Sequence, residues 1–193
     1  MKGEDPYLYP GTSVLRNKLG IADAARLDAI ERQLVVQRAA EGVPHGAFDL
    51  DHLRAIHRHL FQDIFEWAGD LRTVEIAKGG SQFQFRRFIE TGMADVHRRL
   101  KAQDFLRGLS DARFAEAAGK IMGDVNYVHP FREGNGRTQL YYLEQLAEQA
   151  DHAIELARID PQRWIEASRL AHLGDCGPMA EEVRRLLTSA IRP

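Results

Sequence analysis

At 193 residues, 44% hydrophobic and 28% charged, the chain is long enough for one domain with a buried core. A formal net charge of −2 with both signs mixed along the chain gives no basis for direct nucleic-acid binding, and a single cysteine, Cys176, excludes an intramolecular disulfide. No apolar run approaches bilayer length and Met1-Lys2-Gly3-Glu4-Asp5 has no apolar leader core, so a cytoplasmic protein with no membrane partner is expected; delivery into another cell is compatible with that reading.

Residues 5–20 combine turn formers with Tyr7, Tyr9, Leu15 and Leu19, which predicts an ordered arm laid on the domain. The two tyrosines are read as packing the arm, with a binding platform as the alternative. Asp23 caps a helix over about 24–40 with Leu27, Ile30 and Leu34 inward, and Gly42 follows its end. After the break at Val43-Pro44-His45-Gly46, a second helix runs from about 50 to 66 on Leu53, Ile56, Leu60 and Ile64. His52, His57 and His59 are separated by five and two residues, not by the three or four that share a helix face. They are read as surface or boundary positions and not as metal ligands.

Past Trp67-Ala68-Gly69-Asp70 the pattern changes. Thr73 to Ile76 alternates, Lys78-Gly79-Gly80 turns, and Gln82 to Phe85 alternates again, which predicts a β-hairpin. A hairpin this short needs something to pack on. It either closes a helical bundle or offers an open edge to an extended segment of another protein. A helix over about 86–106 carries Ile89, Met93, Val96 and Leu100 inward, and Ser110 or Asp111 caps the next.

That next helix bears Phe114, Ala117, Ala118, Ile121, Met122 and Val125 on one face and should stop near His129, because Pro130 pushes the preceding residue out of the α region. Leu140, Leu143, Leu146, Ala147 and Ala150 restart the helical period. His129-Pro130-Phe131-Arg132-Glu133-Gly134-Asn135-Gly136-Arg137 therefore links two helices. Gly134, Asn135 and Gly136 lead into the second one, where free N–H groups and the positive end of the helix suit phosphate. Arg137 adds a charged fork. Glu133 would oppose a bare anion, so it is assigned to a Mg²⁺ ion bridging the phosphates. His129 stands across the loop as a group that titrates near neutral pH. Asp160-Pro161 starts a further helix, and the break from Gly174 to Pro178 precedes a last one.

The nine-residue loop resembles the signature of the Fic (Fido) family, His-x-Phe-x-(Asp or Glu)-Gly-Asn-Gly-Arg-x-x-Arg, and departs from it only at the final position, where Leu140 stands. The resemblance implies a mainly α fold, a helical bundle with one short β-hairpin, the flap. It divides the chain into an N-terminal arm and helix over 1–48, packed on a catalytic domain over 49–190. The implied reaction is protein adenylylation: a target Ser, Thr or Tyr hydroxyl attacks the α-phosphate of ATP and receives AMP. By the same resemblance His129 is the general base, Glu133 holds Mg²⁺, and Gly134, Asn135, Gly136 and Arg137 bind the phosphates. Phe131 points into the core, and Lys78, Gly79, Gly80, Ser81, Gln82 and Phe83 form the flap that docks the target.

The family's inhibitory motif places Ser or Thr four residues before a Glu followed by Gly or Asn. Neither Glu41-Gly42, preceded by Gln37, nor Glu133-Gly134, preceded by His129, qualifies. The chain therefore resembles the stand-alone toxin class, restrained by a separate small antitoxin protein. Leu140 removes the arginine that meets the γ-phosphate in the family, which keeps a second reading in view, a Fic-type transferase using another nucleotide donor. A third is a catalytically weak binding module, against which the intact His129, Glu133 and Arg137 argue.

Overall fold

The computed structural model describes residues 5–78 and 81–188. Gly79 and Gly80 of the expected flap lie outside the described residues, as does the Ser81 side chain. Helices dominate: α1 (Ala24–Ala40), α2 (Leu50–Phe61), α3 (Ile89–Ala102), α4 (Asp111–Val128), α5 (Asn135–Gln149), α6 (Pro161–His172) and α7 (Gly177–Leu186). The hairpin pairs β1 (Ala77–Lys78) with β2 (Ser81–Gln82) antiparallel, Ala77 opposite Gln82 and Lys78 opposite Ser81. The mainly helical expectation holds. A second strand pair, β3 (Ala153–Ile154) with β4 (Leu187–Thr188), was not foreseen.

Two of three caps, at Asp23 and Asp160, follow the sequence expectation, and Asp49 adds one that was not foreseen. Asp23 accepts the Arg26 N–H at 2.7 Å, Asp49 accepts the His52 N–H at 2.9 Å, and Asp160 accepts the Gln162 N–H at 2.9 Å ahead of Pro161. Two lengths differ from expectation. α2 stops at Phe61, not near residue 66, and the chain passes into turns in which Phe61 O accepts the N–H groups of both Ile64 and Phe65 at 3.0 Å. The turns that follow bury Ile64 and Phe65 and stack Phe65 on Trp67 at 4.3 Å. The expected 86–106 helix is trimmed to α3, since Asp104, Phe105 and Leu106 take left-handed φ of 47, 51 and 64°. That reversal buries Leu106 and sets Phe105 against Phe48.

The core lies between α4, α5 and the helices around them, with Phe114, Ile121, Met122 and Val125 from α4 meeting Tyr142, Leu143 and Leu146 of α5 within one hydrophobic cluster. α7 lies directly against α4 at Gly119, where a Cβ would stand 2.6 Å from Ala180 Cα, so only glycine permits that approach. The N-terminal arm is ordered on the domain. The Lys18 N–H donates to Ile64 O at 2.8 Å, the Tyr7 ring meets Trp67 edge-on at 5.4 Å, and Asp5 pairs with Arg132 at 2.8 Å. Among the described residues, no helix is long and apolar enough to cross a membrane.

Candidate active site

The loop between α4 and α5 begins with a strained histidine. α4 ends at Val128, and His129 takes φ 47° and ψ 64°, a left-handed conformation that costs a non-glycine residue about 1–2 kcal/mol. Pro130 bars the right-handed alternative. The His129 ring is half-buried and lies parallel to the Phe83 ring at 3.8 Å, so Phe83 packs inward on the histidine. His129 Nδ1 is 3.2 Å from Asn126 O. A carbonyl can only accept, so Nδ1 carries the proton and Nε2 keeps its lone pair free. Burial pushes the imidazole pKa down to about 4, with the charges of Arg72 and Lys78 acting in the same direction against the Asn126 hydrogen bond. Near pH 7 the ring is neutral, the form a general base requires.

Phe131 is buried and anchors the loop from inside. Asn135 braces the same residue, its Oδ1 accepting the Phe131 N–H at 3.0 Å and its Nδ2 donating to Phe131 O at 2.8 Å. Its amide is thus spent on holding the loop, and its backbone N–H is the part left for a ligand. Gly134 turns the chain at φ 82°, where a Cβ would stand 2.5 Å from the Phe61 ring. The Gly134 N–H donates to Glu133 Oε1 at 2.9 Å. The first helical return bond of α5 is from the Thr138 N–H to Gly134 O at 3.1 Å, so the N–H groups of Asn135, Gly136 and Arg137 have no partner among the described residues. Three donors at the positive end of a helix form an anion cradle.

Arg137 stands beside that cradle with its guanidinium over the Phe61 ring at 4.8 Å. One Nη pairs with Glu31 of α1, and the other lies 3.8 Å from Glu133 Oε1. Glu31 is only 6% exposed, and burial raises its carboxyl above the ordinary glutamate range although Arg137 pulls it down. Glu133 is exposed, and its Oε2 has no partner among the described residues. One accessible carboxylate beside a phosphate cradle suits Mg²⁺, which is commonly held by one or two carboxylates with substrate phosphates and water. No group of three potential metal-binding side chains occurs among the described residues.

At the hairpin, Lys78 and Gln82 are exposed, and the Gln82 amide donates back to Ile76 O at 2.8 Å. The Phe83 N–H crosses to Ile76 O at 3.1 Å, so by antiparallel alternation the Gln82 N–H faces the open edge. Leu140 is half-buried and packs against the core.

Sequence reasoning missed three residues that hold this site. His57, expected near the surface, is buried, as is His52. His57 Nε2 donates to Glu133 O at 2.9 Å, its Nδ1 accepts the Gly69 N–H at 2.8 Å, and its ring stacks on Phe131 at 3.9 Å. Glu31 fixes Arg137, and Arg72 donates from Nε to His129 O at 2.8 Å. The first two had a signal: His57 and Glu31 each lie four residues after a leucine of the apolar stripe, Leu53 and Leu27. Arg72 lies outside any periodic segment and had none.

Fold and site together define a helical domain organised around one loop that sets a neutral histidine beside an anion cradle. The Fic/DOC family model matches residues 47–147. A probable protein adenylyltransferase of Sinorhizobium fredii, y4lH, is 41% identical over 185 residues, covering 95% of this chain and 96% of that protein. A probable protein adenylyltransferase Fic of Salmonella typhimurium is 37% identical over 191 residues, covering 98% and 95%. The crystal structure of the BepC protein, a VirB-translocated effector of Bartonella tribocorum with bound AMPPNP, aligns with a TM-score of 0.88 at 28% identity, covering 97% of this chain and 99% of that one. The chain belongs to the Fic/DOC family.

Proposed function

We propose that this protein is a protein adenylyltransferase that moves AMP from ATP to a Ser, Thr or Tyr hydroxyl of a target protein. The observation that carries the reading is the pairing, within one loop, of a free His129 Nε2 with unpartnered N–H groups at the start of α5. The names of the two curated relatives and the AMPPNP bound to BepC point the same way.

In this account the N–H groups of Asn135, Gly136 and Arg137 bind phosphate oxygens, and the Arg137 side chain takes charge on the leaving diphosphate. Gly134 contributes the turn that lets the nucleotide approach. Glu133 would hold Mg²⁺, which neutralises phosphate charge when bound. His129 Nε2 accepts the proton as the hydroxyl oxygen bonds to the α-phosphorus and the bond to the β-phosphate oxygen breaks. The edge of the hairpin bearing Lys78, Ser81 and Gln82 pairs with an extended target segment, and Phe83 backs it by packing on His129. The division into an arm and helix over 1–48 and a catalytic unit over 49–190 is retained, with Glu31 and Asp5 as contributions of the first part to the site of the second. The resemblance to stand-alone toxins supports restraint by a separate antitoxin, and the cytoplasm, which supplies ATP and Mg²⁺, is the proposed compartment.

Incubation of a cell extract with the protein and ATP labelled in either the α- or the γ-phosphate tests the reaction. The α-label should appear on protein in amounts that follow the enzyme, and the γ-label should not. Transfer of the γ-label would identify a phosphotransferase instead. The half-buried Leu140 favours one second reading, a donor without a γ-phosphate, because no cation stands at that position.

A further inference from the structure

The side chain of Arg72 has no exposed surface, and its contacts reach well beyond the one bond to His129 O. Its Nε donates to His129 O at 2.8 Å, and its Nη1 donates to Val74 O at 2.8 Å and pairs with Glu75 at 3.3 Å. Its Nη2 donates to Gln84 O, and its backbone N–H donates to Pro130 O at 2.9 Å. Val74 precedes β1 and Gln84 follows β2. One planar fork therefore joins both legs of the hairpin to the carbonyl of the histidine.

That carbonyl is the informative contact. The direction of His129 O is set by ψ of His129, so a fixed donor on it holds the left-handed conformation that aims the ring. The hairpin is tied to the same place twice more. Phe83 stacks on the imidazole, and the Gln84 N–H donates to Tyr127 O at 3.0 Å in the last turn of α4. A lysine could not make this junction, since a single ammonium lacks the planar spread that reaches carbonyls on three segments.

We propose that Arg72 is a positioning residue for the transfer reaction, locking the hairpin edge and the His129 imidazole into one unit so that a docked hydroxyl and Nε2 meet at a fixed separation. This rests on reading His129 as the base and the hairpin as the dock. The N–H groups assigned to phosphate, those of Asn135, Gly136 and Arg137, make no hydrogen bond to this junction among the described residues.

The test compares wild type with Arg72→Lys and with Glu75→Ala, the latter at a partly exposed position whose loss loosens the same fork. For Arg72→Lys the transfer kcat at saturating ATP should fall roughly tenfold to a hundredfold, the cost of a small misplacement at a reacting centre. Nucleotide Kd should stay within about twofold, as expected for a separate site. The His129 ring protons, shielded by the Phe83 face in wild type, should move downfield in the NMR spectrum. Glu75→Ala should move the same resonances in the same direction with a loss of about threefold, the scale of one partly exposed ion pair. A purely structural arginine would lower the melting temperature and leave kcat and the His129 resonances of the folded fraction unchanged, which would overturn the proposal. Unmoved resonances and kcat in Glu75→Ala would overturn it even if Arg72→Lys fails to fold. If wild type transfers nothing from ATP, the adenylyltransferase reading falls, and the resonance shifts still decide the positioning.

Discussion

The carboxylate of Glu31 on α1 pairs with the guanidinium of Arg137 at the start of α5, so the side chain best placed to meet phosphate is already held by an acid from the N-terminal part of the chain. The pair has an energetic signature. Arg137→Ala alone leaves Glu31 charged and buried, which should cost about 2–3 kcal/mol, somewhat below the ~3–5 kcal/mol of a fully buried pair because the guanidinium is 32% exposed. Adding Glu31→Gln should recover most of that loss, as measured by urea unfolding of the two single variants and the double. Simple additivity of the single losses would show that the pair is not coupled.

Protonation supplies a second expectation. His57 and His129 are both held to a pKa of about 4, chiefly by burial, against an ordinary value of 6.5. A depressed folded pKa means that the unfolded chain takes up protons first, so their contribution to stability is complete above pH 6.5 and is lost as pH falls through about 4. Unfolding free energy should decline over that window, and His129→Gln should flatten part of the slope. Transfer activity should show no acid limb near pH 6.5. A limb there would mean that the active base titrates at its ordinary value.

Docking at the hairpin is tested without touching the chemistry. Gln82→Pro removes an N–H that faces the open edge, so target modification should fall while nucleotide affinity stays at the wild-type level. If both stay at wild-type values, the target docks elsewhere.

Leu140 separates two donors by the sign of one effect. If ATP binds with its γ-phosphate beside α5, Leu140→Arg should tighten ATP binding, a charge-assisted contact being worth about 1.5–3 kcal/mol. A site adapted to a donor without that phosphate should gain nothing and lose some stability from a half-buried unpaired charge. Affinities for ATP and ADP in wild type and variant distinguish them, and the account favours tighter ATP.

Much of this was legible in the sequence because it is local. The caps at Asp23 and Asp160, the stop at Pro130 and the glycine turn into α5 each depend on residues a few positions apart. The groups that brace the site were not legible in the same way. Glu31 and His57 sit on apolar stripes, where a polar residue reads as an exception until its distant partners, Arg137 and the Glu133 carbonyl, are brought beside it. Arg72 satisfies carbonyls on segments that the sequence leaves far apart. β3 and β4 are two-residue strands from distant segments, too short to carry an alternation of their own.

The central claim, that His129 Nε2 takes the proton of a target hydroxyl while the start of α5 holds the nucleotide, is tested most directly with His129→Ala. Mass spectrometry of proteins incubated with ATP and Mg²⁺ should find adenylyl groups on hydroxyl side chains with the wild-type protein and none with the variant, although the variant still binds ATP. Adenylylation at the wild-type rate by His129→Ala would contradict the account.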